Sequence, residues 1–557
     1  MKITRPFHKL TRNCLISATL LFIPIARAGV TNPIAGDPIA IDSGQVAGTK
    51  LPSGVHAYLG IPYAAPPVNE LRWHAPVALK PWQGIYQANE ARPACVQKIP
   101  QSRAFNVPAP VEPVSEDCLF LNVWTPSTAK SGAQLPVIVF IHGGGFTSES
   151  PNRADYSGQE IARKGVIYVS IGYRLGIFGY LAHPEMSQES GHNASGNWGV
   201  MDQIAALQWV QRNIAAFGGD ARNVTIVGHS AGSESVFTLQ SSPLAKGLFA
   251  KISGWSGADL SPGGRPPRLL AEAERDGVRL QEALKAKDLA EMRTMAWDRV
   301  LAATSQFSGG GPGGGLQSRP VVDGYVMPEM PETLFAQGKQ NAVPMLLSST
   351  NGDLGSSQEF AQVKTLEDFH KAAQSYFGSA SGDFLKLFAA STDAEAVQQA
   401  QIVVANQGFG VANRDWARAE AKSSKLPVYL VQFRLKRPYR QGVEWIGPTP
   451  ADRGAFHGSD IALWLGTYSL GGALSNTLLW TDADKTLSAN MEDALVAFAT
   501  KGAPNTEALK FPRYEVSDEQ RLILAEPTYL EKMDTEKIEF LRTHQQERPQ
   551  PRAEPAR

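Results

Sequence analysis

Residues 217–232, FGGDARNVTIVGHSAG, put one serine where the backbone around it can make it reactive. Residues 223–227 read as a short buried strand rich in Val, Ile and Thr, and a helix-forming run begins at Ser233. Between them stands Gly228-His229-Ser230-Ala231-Gly232. A serine in a G-x-S-x-G turn between strand and helix is held in a strained conformation with its hydroxyl at the mouth of the sheet. The flanking glycines keep side chains out of the tight crossing. A lone G-x-S-x-G is a common pattern, and the strand-turn-helix context is what makes Ser230 a candidate nucleophile for acyl transfer.

An acyl-transfer serine needs a group that stabilises the oxyanion and a base that takes its proton. Residues 135–142, LPVIVFIH, form an apolar run of the kind found in a strand covered on both faces, and the run ends in Gly143-Gly144-Gly145-Phe146. Without Cβ atoms this backbone can approach a reacting carbonyl and aim two amides at its oxygen, an effect of roughly 3 kcal/mol per donor. A flexible turn is the plainer reading of the same three glycines. The base is sought among ten histidines. His142 beside the glycines and His229 beside the serine are rivals by position. A residue adjacent to the nucleophile in such a turn points its side chain away from the serine, and the chain order serine, acid, histidine puts the base last. Phe456-His457-Gly458 follows a loop at a suitable distance, so His457 is the expected base: its Nε2 takes the Ser230 proton and returns it to the leaving alcohol. The chemistry requires no cofactor and no metal.

The elements that would position these residues alternate between strand and helix. Residues 166–173 read as a strand, 201–214 as an amphipathic helix with Ile204, Leu207, Val210 and Ile214 at helical spacing, and 249–255 as a further strand that ends beside Ser256. Residues 343–348 and 427–433 read as strands, 266–305 and 365–424 as mainly helical, and 484–500 as a helix stopped at Gly502. Alternation of this kind implies an α/β fold: a central, mostly parallel sheet with helices on both faces. It is preceded by an antiparallel β lead-in that includes residues 39–41 and 56–63. Residues 308–315, SGGGPGGG, lack the Lys-Ser/Thr ending of a phosphate loop and read as a connector.

The chain has 557 residues, 43% hydrophobic and 19% charged, which is enough to bury a large core. Residues 1–28 differ in kind: Lys2, Arg5, Lys9 and Arg12 precede a short apolar run and Ala26-Arg27-Ala28 offers a cleavage site, so they are expected to be a signal peptide. The rest divides into one domain, 29–544, and a Pro- and Arg-rich tail, 545–557, expected to be disordered. Removing residues 1–28 takes away five basic residues and no acidic one, which leaves a formal charge of −5. That balance gives no footprint for nucleic acid, and with the signal cleaved no membrane partner is expected. Export, to the periplasm or beyond the cell, also bears on Cys95 and Cys118, the cysteines that would remain. They are expected to pair, closing a loop of about 24 residues, worth roughly 3 kcal/mol. Two separate buried thiols are the alternative, and no ligand spacing favours a metal site.

Several stretches together resemble the type-B carboxylesterases, the α/β-hydrolase family that includes cholinesterases and bacterial nitrobenzyl esterases. They are residues 116–124 (EDCLFLNVW), 142–146 (HGGGF), 172–179 (GYRLGIFG), 196–213 (GNWGVMDQIAALQWVQRN), the serine turn, and Phe456-His457-Gly458. The resemblance implies that Ser230 attacks and His457 is the base. It implies that the amides of Gly144, Gly145 and Ala231 form the oxyanion hole, that Cys95 and Cys118 are bridged, and that Arg72 with Glu116 and Arg174 with Asp202 are structural ion pairs. The expected substrate is a small-molecule carboxylic ester. Two departures point away from cationic esters: residues 96–117 hold only Phe105 as an aromatic, and His229 stands where many relatives have Glu.

The third triad member departs further. Relatives carry a Glu followed by Gly, whereas this chain reads Thr350-Asn351-Gly352-Asp353-Leu354-Gly355. Matching the glycines puts Leu354 on the acid, and a shift of one residue puts Asp353 there. Asp353 is the expected acid, just beyond a buried strand, with Glu359 and Asp460 as alternatives. Asp460 is better suited to support the triad from behind, and Ser256 is expected to do the same. Two other functions fit the same scaffold: hydrolysis of amides, lactones or thioesters, and a catalytically silent binding protein.

Overall fold

The computed structural model describes residues 32–98, 113–258, 260, 267–307, 316–353, 357–438, 440 and 455–544. The expected signal peptide, the tail, the 308–315 connector, Leu354, Gly355 and much of the loop after Cys95 lie outside the described residues.

The organising element is an eleven-stranded sheet. Its strands are numbered here in chain order: β1 (Thr49–Lys50), β2 (His56–Pro62), β3 (Phe120–Thr125), β4 (Leu135–Ile141), β5 (Ile167–Ile171), β6 (Gly219–His229), β7 (Lys251–Trp255), β8 (Met345–Thr350), β9 (Val428–Phe433), β10 (Gln520–Leu524) and β11 (Tyr529–Lys532). The spatial order is β11-β10-β9-β8-β7-β6-β4-β5-β3-β2-β1. Pairing is parallel from β5 through β10 and antiparallel at both edges. A small three-stranded sheet containing Ile39–Ile41 and Gly44–Ala47 precedes it, so the antiparallel lead-in stands as expected.

Strand β4 explains why the sheet must be covered on both sides. Val137, Val139 and Ile141 enter one core, while Ile138 and Phe140 enter the other. An uninterrupted apolar run is therefore a period-two strand with two buried faces. On the first face lie helices α1 (Trp198–Asn213) and α2 (Ala231–Ser241), through Val200, Leu207, Val236 and Phe237. On the second lies the helix Asp482–Lys501, through Met491, Leu495 and Phe498.

The boundaries move for physical reasons. The helix expected over 484–500 begins at Asp482 because Thr481 and Asp484 form a reciprocal capping box, and it ends at Gly502 in the left-handed conformation as expected. Strand β6 starts at Gly219 rather than 223, because Gly219 already pairs with Leu135 and the polar residues that follow form an irregularity before the ladder resumes with Val224 opposite Val137. Helix α2 starts at Ala231, directly after the serine, two residues earlier than expected.

Both expected ion pairs form and are buried: Arg72 Nε is 2.6 Å from Glu116 Oε1, and Arg174 NH2 is 2.7 Å from Asp202 Oδ1. Arg72 NH1 also donates to the carbonyls of Met292 and Met295, so this charge joins the disulfide region to a later helix. Cys95 and Cys118 are bridged, 23 positions apart in sequence. Replacing both by serine is expected to lower unfolding stability by about 3 kcal/mol with the fold retained. Urea melts of the variant and the oxidised parent check this, and coincident midpoints would contradict it.

Candidate active site

Ser230 has φ 58° and ψ −126°, a conformation that a side chain rarely adopts and that only over-determined surroundings hold in place. Those surroundings are visible at the flanking glycines. A Cβ on Gly228 would collide with the carbonyl of Gly232, and one on Gly232 would collide with the carbonyl of Ile141 at the end of β4. The strand and helix therefore cross backbone to backbone. The Ser230 amide donates to the Trp255 carbonyl at 2.8 Å, and its carbonyl accepts from Glu234 N at 2.9 Å, which pins the turn to β7 on one side and α2 on the other.

The glycine loop after β4 lies against this turn. A Cβ on Gly143 would stand 2.7 Å from the His229 carbonyl and 3.0 Å from Ser230 Cβ, so glycine is what lets the loop approach the serine. Gly144 and Gly145 have φ of 92° and 61°, and the Gly144 carbonyl is turned back to accept from Thr147 N and Ser148 N. Among the described residues no acceptor takes the amides of Gly144, Gly145 or Ala231. What holds the loop from behind was not read in the sequence. Glu149, buried, pairs with Arg153 at 2.5 Å, and Arg153 also reaches Asp155 at 2.8 Å. The Gln97 side chain donates to the Glu149 carbonyl and accepts from its amide, both at 2.9 Å, and so ties the loop to the segment just after Cys95. These contacts join residues 52 positions apart, and no local pattern announces them.

His457 Nδ1 is 2.6 Å from Asp353 Oδ1. The donor there is Nδ1–H, which leaves Nε2 as the basic nitrogen. Two loops make this contact possible. Gly352 N donates to the Ala455 carbonyl and Ala455 N to Asn351 Oδ1, both at 2.9 Å, so the segment after β8 and the histidine loop form a short bridge. Asp353 Oδ2 accepts from Thr350 N at 3.1 Å, which fixes the carboxylate. The rivals fall elsewhere. Glu359 is exposed and bonded to Ser357. Asp460 is fully buried, with Ser348 Oγ donating to its Oδ2 at 3.4 Å.

The other two histidines also separate. His142 stacks on Tyr173 at 4.5 Å, its Nδ1 lies 3.1 Å from the Gly143 carbonyl, and burial holds its pKa down to about 4, so it is neutral and fixed. His229, whose side chain was expected to point away from the serine, has its ring 4.6 Å from that of His457, with burial first and the neighbouring imidazole second holding its pKa well below the usual value. A neutral ring beside His457 is a wall of the site rather than a second candidate base. Phe409 packs on His457 as well, at 5.7 Å. Ser256 has φ 52°, donates its amide to the Ser348 carbonyl at 2.8 Å, and has a buried hydroxyl with no partner among the described residues.

Asp460 carries a pH prediction. Burial, with the Asp353 charge adding to it, pushes its carboxyl up to about 6. In the unfolded chain an aspartate titrates near 3.9, about two units lower. The folded protein therefore holds a proton that the unfolded chain has lost between those values. The stability this group contributes is complete below about pH 4 and is lost as the pH rises through about 6. Asp460→Asn is expected to reduce the loss of stability between pH 4.5 and 7, by up to about 3 kcal/mol, with turnover within tenfold of the parent. Thermal melts at the two pH values check it, and an unchanged pH dependence would contradict it.

A strained serine at the end of a central parallel strand, beneath a glycine loop and followed by a helix, defines an α/β hydrolase. The chain belongs to the carboxylesterase family: the family model described as "Carboxylesterase family" matches residues 36–541. It is similar to the fumonisin B1 esterase of Sphingopyxis macrogoltabida, 32% identical over 85% of this chain and 84% of that protein. It is likewise similar to the para-nitrobenzyl esterase of Bacillus subtilis (strain 168), 31% identical over 86% of this chain and 93% of that protein. A solved PNB esterase structure matches with a TM-score of 0.73 at 28% identity, over 91% of this chain and 99% of that one. The protein is a carboxylic-ester hydrolase, and its substrates are small-molecule esters.

Proposed function

We propose that this enzyme cleaves its esters through an acyl-enzyme intermediate, with Ser230 as nucleophile, His457 as general base and Asp353 as the acid that orients it. The observation that carries the reading is the 2.6 Å contact between His457 Nδ1 and Asp353 Oδ1, made by two loops bridged just beyond β8. As Ser230 Oγ attacks the ester carbonyl, its proton passes to His457 Nε2, and the imidazolium is stabilised by the buried Asp353 carboxylate. The carbonyl oxygen becomes an oxyanion and takes hydrogen bonds from the amides of Gly144, Gly145 and Ala231, which have no acceptor among the described residues. Collapse expels the alcohol, which leaves with the proton from Nε2. Water then attacks the acyl-serine with His457 again as base and releases the acid.

The low pKa of His229 serves the same cycle, since a second charge beside His457 would oppose formation of the imidazolium. Asp460 and Ser256 act behind the triad and hold the histidine loop and the end of β7. The relatives named above are by name a fumonisin B1 esterase and a para-nitrobenzyl esterase, which supports an ester as the bond cleaved here. The domain spans residues 29–544, and residues 1–28 direct export and are removed. The Cys95–Cys118 bridge is in keeping with an oxidising compartment. Among the described residues no helix is long and apolar enough to cross a membrane.

The experiment is a panel of p-nitrophenyl esters of increasing acyl length beside the matching anilides and thioesters. Esters are expected to be turned over with a burst of nitrophenol, and anilides at least a hundredfold more slowly. Faster turnover of anilides or thioesters would move the physiological bond away from the ester.

A further inference from the structure

A cleft of about 670 Å³ opens between the last strands of the sheet and a helical layer, well within the range of small-molecule sites. The layer is built by α3 (Asp393–Ala405) and α4 (Thr535–His544), numbered on from α1 and α2, together with the short helix Gln358–Ala361. Neither Ser230, His457 nor Asp353 lines the cleft, but Asn351 does, the residue whose Oδ1 accepts from Ala455 in the bridge between the acid and base loops.

The charge in the cleft is one-sided. Arg434, Lys436, Arg521, Lys532 and Lys537 face it, against Glu531 and Asp534, on a chain whose formal charge is zero. Not all of these are spoken for. Lys532 pairs with Asp518 outside the cleft at 2.9 Å, and Lys537 donates to Gln399 at 3.0 Å. The floor is different. Arg521, only 3% exposed, places Nε and NH2 at 2.8 and 2.6 Å from Glu531 Oε2, and Arg434 NH2 lies 2.7 Å from the same oxygen. Two guanidinium groups thus share one carboxylate oxygen and keep a net positive charge, with Arg434 and Glu531 part-exposed and Arg521 buried beneath them, where burial brings it down to about 10. Exposed Lys436, two residues along from Arg434, makes no ion pair among the described residues and adds a second positive charge at the rim. The remaining wall is mixed: Phe360, Val363, Val404, Met533 and Ile538, all buried, supply its apolar stretch, and Gln398, Gln401 and Asn406 stand beside them.

We propose that this cleft is a second binding site, for an amphiphilic monocarboxylate whose head meets Arg521, Arg434 and Lys436 and whose hydrocarbon chain lies along the apolar stretch of the wall. A carboxylate supplies the anion that the shared Glu531 leaves wanting, and guanidinium groups are suited to bind it through paired hydrogen bonds. The apolar stretch contributes in proportion to the chain it covers. A small inorganic anion would use the floor and leave the wall bare. The proposal does not rest on the catalytic roles assigned above.

The test uses the full protein and an octanoic acid carrying a diazirine on its chain, irradiated at pH 7.5 and mapped by peptide mass spectrometry. Crosslinks are expected on peptides covering 397–406 and 529–538. Octanoate should compete them away, while 1-octanol and inorganic phosphate should each compete at least tenfold more weakly. Lys436→Glu, an exposed change that the fold tolerates, should cut the labelling at least fivefold. Labelling confined to peptides around Ser230 would overturn the proposal, as would equal competition by octanol or by phosphate, or full labelling of Lys436→Glu.

Discussion

Ser230→Ala is expected to lower kcat on p-nitrophenyl esters by about 10⁶-fold, the scale seen when a hydrolase loses its nucleophile. The same change should leave the fold intact and could raise stability slightly, because the residue that replaces the serine inherits a φ of 58° but buries no hydroxyl. In the proposed mechanism every other part of the machinery acts through that oxygen. In that mechanism the amides of Gly144, Gly145 and Ala231 have charge to stabilise only after attack, and His457 has a proton to take only from Ser230. Residual turnover in the variant should therefore be that of a bound ester attacked by water, and it should no longer show a burst. A variant with more than about a hundredth of parental kcat would remove Ser230 from the centre of the account, because no neighbouring hydroxyl or thiol stands in the same turn.

Asp353→Asn is expected to lower kcat by up to about 10⁴-fold with KM little changed. In the proposed mechanism the carboxylate does two things at His457: it accepts Nδ1–H and it stabilises the imidazolium formed during attack. An amide presented in the same place can do the first only through its carbonyl oxygen and cannot do the second. Its NH₂ group would also favour the other tautomer, in which Nε2 carries the hydrogen and cannot act as base. Thr350 N, which donates to Asp353 Oδ2, would keep the side chain close to its present position, so the loss is one of charge rather than of fold. Glu359→Gln and Asp460→Asn are the controls. Glu359 is exposed and Asp460 is bonded to Ser348, so neither should lose more than tenfold. If Asp353→Asn kept near-parental kcat while either control lost activity, the acid would have to be reassigned.

What could be read in the sequence follows how local each determinant is. The serine turn was legible because strand, turn and helix are contiguous and because only glycine fits at Gly228 and Gly232. The glycine loop was legible for the same reason. Strand β4 was recognised as doubly covered from composition alone, since alternate residues on both faces are apolar. The start of the helix at Asp482 was missed although Thr481 and Asp484 carry a capping box in plain view. The early start of β6 was hidden by Asp220, Arg222 and Asn223, which read as a loop and stand unpaired with β4 between the Gly219 and Val224 contacts. The acid could be narrowed but not fixed, because its partner is 104 residues away and the contact depends on how two loops bridge. The local rule that set His229 aside as the base, its side chain pointing away from the serine, gave no sign that its ring would lie beside His457, which arrives from the far end of the domain. The Gln97 clamp on Glu149 had no local signal at all.

The most direct test of the central claim is covalent trapping. The full protein is treated with an alkyl phosphonate ester carrying a p-nitrophenyl leaving group, digested, and the adduct located by mass spectrometry. The account predicts one adduct per chain, on Ser230, released with one equivalent of nitrophenol and formed at least a thousandfold more slowly in His457→Gln. An adduct on any other residue, or loss of ester turnover without modification of Ser230, would contradict it.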